Sequence, residues 1–184
     1  MSTQVVLIRG INVGGKNAVS MQELRACLEE LGCTNPQTLL NSGNAVVDSA
    51  LSPAKLAAAI ERELPERFRL DDELVRVLVL AEKDFRAVVA ARPAGFGDEP
   101  DTYHSDAIFL IGTDVADAMA VFQPRDGVDA VWPGTNVVYS RRLSAERTKS
   151  RLGKIIGTPP YKSMTIRSWS TTLKLLAMLD ARAE

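Results

Sequence analysis

The sequence predicts an α+β fold made of two tandem ferredoxin-like halves, each ordered β-α-β-β-α-β-α. Three observations predict it. Strand-length apolar runs and helical patterns follow that order twice along the chain. Arg92-Pro93 and the breaker-rich Gly95-Phe96-Gly97-Asp98-Glu99-Pro100 separate the two runs. The hairpins also echo each other, Gly43-Asn44-Ala45-Val46-Val47 against Thr135-Asn136-Val137-Val138-Tyr139. One α+β domain with a continuous mixed sheet uses the same elements with different strand pairing and stands as the alternative. The expected boundaries are a first half over 1–92, a linker over 93–104 and a second half over 105–184.

In the first half, residues 4–8 form a short β-branched apolar run that ends at Arg9-Gly10. Ser20 with Glu23 makes a capping box, Met21, Leu24, Leu28 and Leu31 recur at helical spacing, and Gly32 stops that helix. Residues 36–40 and 44–48 read as strands joined by Asn41-Ser42-Gly43-Asn44. Ser52-Pro53 starts a helix with Leu56, Ile60 and Leu64 on one face and Pro65 just past its end. A strand over 73–80 and a helix over 82–91 complete the half.

In the second half, strands are predicted over 106–111, 127–132, 136–140 and 163–167. Thr113 is expected to cap a helix to about Phe122, and Ser144 a helix to Ile156. The last helix covers 169–181 with Leu173, Leu176 and Leu179 inward. Trp132 and Trp169 read as core or hinge residues.

The 184 residues carry 22 basic and 23 acidic side chains and are 46% hydrophobic, an ordinary globular mixture. A disordered chain, a collagen-like repeat and a disulfide scaffold are excluded. No secretory leader or membrane span is expected, so the chain reads as a cytoplasmic protein with reduced thiols at Cys27 and Cys33. His104 is the only histidine. It lies next to the linker and reads as a surface residue. No nucleophile motif, metal-ligand cluster or cofactor signature is present, and whether the protein is an enzyme stays open.

The copies differ in one place. Arg9 to Asn44 spans 35 positions and Ile111 to Asn136 spans 25. The surplus follows the first strand as Gly10-Ile11-Asn12-Val13-Gly14-Gly15-Lys16-Asn17, which nearly spells a P-loop. Asn17 stands where magnesium binding needs a hydroxyl, the helix starts near Met21 rather than beneath the loop, and the element order is not that of a parallel sheet. What survives is an anion-binding nest. In a split βαβ, strands one and three are antiparallel neighbours, so Arg9 and the loop should meet the hairpin. Arg9, Asn12, Gly14, Gly15, Lys16, Ser42 and Asn44 are the candidate ligand-binding residues, with Arg141 and Lys149 added from the second half. The bland reading of the same residues is that glycine and asparagine only make turns.

Residues 141–167 hold eight basic side chains against Glu146, and residues 98–129 hold eight acidic ones against Arg125. Arg147, Lys149, Arg151 and Lys154 would share the helix over 144–156. This basic 141–154 segment suggests nucleic-acid binding, or a solvated face paired with the acidic block. A third reading is a homodimeric interaction module using an open sheet edge, so monomer and homodimer both stand.

Arg9-Gly10-Ile11-Asn12-Val13-Gly14-Gly15-Lys16, with Met21, Leu24, Leu31-Gly32, Ser42-Gly43-Asn44 and the later Tyr139-Ser140-Arg141, Lys154 and Trp169-Ser170-Thr171, resembles the bacterial family called domain of unknown function 1697. Thr-Arg-Asn-Trp-Asn-Thr is expected near the end, where Ile166-Arg167-Ser168-Trp169-Ser170-Thr171 stands. The resemblance implies a bacterial cytosolic protein and supplies no catalytic residues. The leading expectation is a module or enzyme that takes a phosphorylated small molecule or nucleotide at the glycine-rich loop, beside the first hairpin.

Overall fold

The computed structural model describes residues 1–70 and 75–183. It divides into two compact units, Met1–Arg86 with Lys174–Glu184, and Ala87–Leu173. The divisions fall inside two helices, α3 (Glu82–Ala90) and α5 (Trp169–Ala183).

The first unit contains β1 (Ser2–Arg9), α1 (Met21–Glu30), β2 (Thr34–Leu39), β3 (Asn44–Ser49), α2 (Pro53–Phe68) and β4 (Arg76–Ala81). Its sheet is antiparallel in the order β2-β3-β1-β4, the arrangement of a split βαβ. Val6, Ile8, Ala45, Val47, Val77 and Val79 meet Leu24, Leu28, Leu56, Ile60 and Leu64 in one core. Val5, Leu7 and Val46 on the opposite face are buried too, which is why β1 reads as a continuous apolar run rather than an alternating one. Arg182 of α5 donates to the carbonyls of Val46 and Asn35 and lies 3.3 Å from Asp48. Cys27 and Cys33 are free and buried, and burial pushes the Cys27 thiol up to about 11, so both act as apolar filling.

The second unit contains β5 (Tyr103–Leu110), α4 (Val115–Ala120), β6 (Asp129–Pro133), β7 (Val137–Leu143) and β8 (Met164–Ser168). Its antiparallel sheet repeats the first as β6-β7-β5-β8. Two separate four-stranded sheets confirm the tandem architecture and exclude the continuous mixed sheet.

Several elements differ from expectation. The helix over 144–156 is absent; Ser144–Lys149, Leu152–Ile155 and Pro159–Ser163 are 3-10 turns. The Arg151 N–H, which a helix would spend on the carbonyl four residues earlier, donates instead to Asp129 Oδ2 at 2.8 Å, and Arg125 takes the Lys149 carbonyl. Arg147, Lys149, Arg151 and Lys154 therefore do not share a helical face. Helix α2 runs through Pro65 to Phe68 and ends at Arg69 in the left-handed conformation. Phe68 and Leu70 pack on the core, which offsets the hydrogen bond the proline removes. Asp114, not Thr113, caps α4, accepting from the Asp117 N–H. Leu173 is 42% exposed, while Leu175 and Leu179 are buried. The expected strand over 73–80 begins outside the described residues.

The hairpin echo also shifts by one position. Ile8 N–H donates to Gly43 O at 2.7 Å and Leu110 N–H to Asn136 O at 3.2 Å. Gly43 and Asn136 are therefore the equivalent residues, both left-handed, at φ +75 and +56. Glycine and asparagine both tolerate that conformation, so matching asparagine to asparagine slipped the register.

Candidate functional site

The surplus loop of the first unit is an ordered structure clasped by Asn12. Its Nδ2 donates to Val19 O at 2.9 Å and to Asn41 O at 2.8 Å, and its Oδ1 accepts from Val19 N–H at 2.8 Å. Between these points the chain makes a small hairpin, with Asn12 N–H to Asn17 O at 2.9 Å and Lys16 N–H to Val13 O at 3.0 Å. Asn17 Nδ2 closes the base on Gly10 O at 2.7 Å. Gly10, Asn12, Gly14, Gly15 and Asn17 all have positive φ, the conformation for which glycine and asparagine are selected.

One side chain thus ties β1, the start of α1 and the first hairpin together. Beside the clasp lies an open concavity of about 500 Å³, lined by Asn12, Gly15, Lys16, Ser20, Met21 and Asn41 among others. The helix that appeared too far along the chain to lie near the loop turns back to it. Ser20 caps α1 by accepting from Glu23 N–H and donating to Glu23 Oε2, so the expected Ser20–Glu23 pairing forms, with the Glu23 carboxylate on the Ser20 hydroxyl rather than on its backbone N–H.

The other expected ligand residues divide by place. Gly14 and Ser42 are exposed, and Arg9 is half-buried at the end of β1. Asn44 is buried and donates to Leu39 O and Ser42 Oγ, closing its hairpin. Arg141 and Lys149 belong to the second unit. Arg141 donates to Gly95 O and stacks 4.1 Å from the Tyr103 ring and 5.4 Å from that of Trp132. Lys149 pairs with Glu146 at 2.6 Å.

The second unit holds a polar cluster that the sequence reading passed over. His104 Nε2 is 3.0 Å from Asp106 Oδ1, and Arg142 Nη1 is 3.8 Å from Asp106 Oδ2. Burial pushes the Asp106 carboxyl up, against His104 and Arg142, which oppose it. Burial pushes Asp129 up as well, but the N–H groups of Arg151 and Arg125, the Ser150 hydroxyl and Arg142 outweigh it and hold that carboxyl low. Asp106, Ser140 and Arg142 face a cavity of about 140 Å³, walled by Ile108, Ile155, Tyr161 and other apolar residues. The available signal was His104-Ser105-Asp106, since residues two apart on a strand share a face. It was missed because β5 begins at Tyr103, three residues before the strand expected over 106–111 and inside the expected linker.

These features define a class, a duplicated ferredoxin-like α+β protein whose first copy carries an asparagine-clasped glycine loop. The sequence profile of the family described as "Protein of unknown function (DUF1697)" matches residues 1–139, and the chain belongs to that family. It is also similar to a solved structure, the conserved bacterial protein SP0830 from Streptococcus pneumoniae. Identity is 28%, the TM-score is 0.81, and the match covers 97% of this chain and 98% of that one. Comparison with curated proteins finds no match. No helix among the described residues is long and apolar enough to cross a membrane.

Proposed function

We propose that the first unit binds a small phosphorylated molecule or nucleotide in the concavity beside the glycine-rich loop. The observation that carries this reading is the shared lining. Gly15, Lys16 and the first residues of α1 border one open space of about 500 Å³. A helix start favours negative charge, and a lysine supplies the matching point charge. The clasp holds these groups in place before a ligand arrives, which lowers the ordering cost of binding. Of the expected ligand residues, Lys16 and Gly15 serve directly, while Asn12 holds the loop through its clasp. Arg9, Gly14, Ser42 and Asn44 shape the loop and hairpin around them.

The test is a titration of the full chain with pyrophosphate and with ATP, read at the Gly14, Gly15 and Lys16 amide signals. Lys16→Ala weakens binding several-fold. Glu23→Gln keeps the cap and removes a nearby negative charge, so it strengthens binding by about 2- to 5-fold, the range of a surface helix-end charge. Loop amides that do not respond to either compound at low salt refute the reading.

A further inference from the structure

The second unit has another opening where β5 outruns β8. The β5–β8 ladder begins at Asp106 paired with Ser168. Tyr103, His104 and Ser105 therefore pair with β7 on one side, while on the other β8 has ended and α5 begins. A cavity of about 320 Å³ lies there, bordered by Tyr103, His104, Ser105, Trp169, Ser170 and Leu173 among others. Its size falls in the range of small-molecule pockets.

Three features fix the chemistry it would take. No Lys, Arg, Asp or Glu is among the lining residues, so a charged ligand would lose its hydration without a counter-charge. Tyr103 and Trp169 supply aromatic wall, which favours a flat partner. One polar group has capacity to spare. The Ser105 hydroxyl is unpartnered among the described residues but its oxygen is closed off from solvent, so it does not serve. His104 spends Nε2 on Asp106, which leaves Nδ1 as the ring nitrogen open to a ligand, an acceptor in the tautomer whose Nε2–H donates to that carboxylate.

We propose that this cavity binds an uncharged, flat ring bearing a hydroxyl or N–H group, with the ring against Tyr103 and Trp169 and the protic group donating to His104 Nδ1. The site is independent of the loop in the first unit and takes the opposite kind of ligand, neutral rather than anionic.

His104 is the only histidine, so its imidazole C–H signals can be read in the full chain without assignment. Phenol, toluene and benzoate are the probes. Phenol shifts the His104 signals saturably, toluene binds about five-fold more weakly for want of one hydrogen bond, and benzoate does not bind. Ser170 is exposed, and Ser170→Trp fills the cavity and removes the phenol response. In His104→Phe, phenol and toluene bind alike, read at the tryptophan indole N–H signals. The proposal is overturned if phenol leaves His104 unmoved, if the shift survives Ser170→Trp, or if benzoate binds as well as phenol.

Discussion

Replacing Asn12 tests whether one side chain organises the loop. Asn12 makes three side-chain hydrogen bonds, to Val19 O, Asn41 O and Val19 N–H, and stands at φ +54. At about 1 kcal/mol net each they sum to about 3 kcal/mol. The site is exposed, water recovers part of that, and about 2 kcal/mol remains for the Asn12→Gly variant, whose backbone tolerates the left-handed conformation. Asn12→Ala loses the same bonds and adds the left-handed penalty of about 1 kcal/mol, about 3 kcal/mol in all.

The assay is amide hydrogen exchange at Lys16, whose bond to Val13 O at 3.0 Å is left intact by either substitution. Exchange there should speed up by about 30-fold in the glycine variant and by more than 100-fold in the alanine variant, at 1.4 kcal/mol per factor of ten. The core amides of α1 should be unchanged. Lys16 exchange within about three-fold of wild type in both variants would show that the loop is held by something other than the clasp.

Gly97→Ala would set a methyl group into the Trp169 indole at a position with φ +77. Overpacking and the left-handed conformation together cost about 3 kcal/mol, and tryptophan fluorescence reports it for the second unit alone, because Trp132 and Trp169 both lie there. Asp48 and Asp106 give opposite pH responses. Burial raises the Asp48 carboxyl, but Thr3, Asn35 and Arg182 outweigh it and hold it low. Its stabilisation is complete above the ordinary carboxylate value of about 4 and is lost as pH falls through the folded value. Asp48→Asn should therefore lower urea stability at neutral pH and match wild type in acid. Asp106 is raised by burial, so its protonated form favours the fold, and that contribution is lost as pH rises through the folded value. Asp106→Asn should equal or exceed wild-type stability at neutral pH, with the difference closing in acid; a loss at neutral pH would contradict the assignment.

Where local chemistry decides, the sequence was legible. The Ser20-Glu23 pair, the Leu56-Ile60-Leu64 stripe and the strand runs are each specified within a few residues, and together they define the duplicated topology. The stretch over 144–156 was not legible, because its alternative to a helix comes from far away. Asp129, 22 positions before Arg151, captures the N–H that a helix would use, and nothing between Ser144 and Ile156 announces it. The loop was recognisable as surplus, and the predicted meeting of the end of β1 with the start of β3 is present as Leu7 opposite Asn44. The return of α1 to the loop was not visible, since chain separation says little once Asn12 has folded the intervening residues back. His104 lies at the surface as expected, with 41% of its side chain exposed; its pairing with Asp106 went unread for a smaller reason, the placement of one strand end.

The grouping of Lys174–Glu184 with the first unit bears on how the protein is made. A ribosome that has just released Arg92 has produced every strand of the first sheet, but not Arg182, which serves Val46 O, Asn35 O and Asp48. The unit begun first is finished last, after the whole second unit has emerged. During that interval Asp48 and the carbonyls of Val46 and Asn35 lack the guanidinium that serves them in the finished unit, so the first unit passes through a stage with its sheet complete and this corner unpaired.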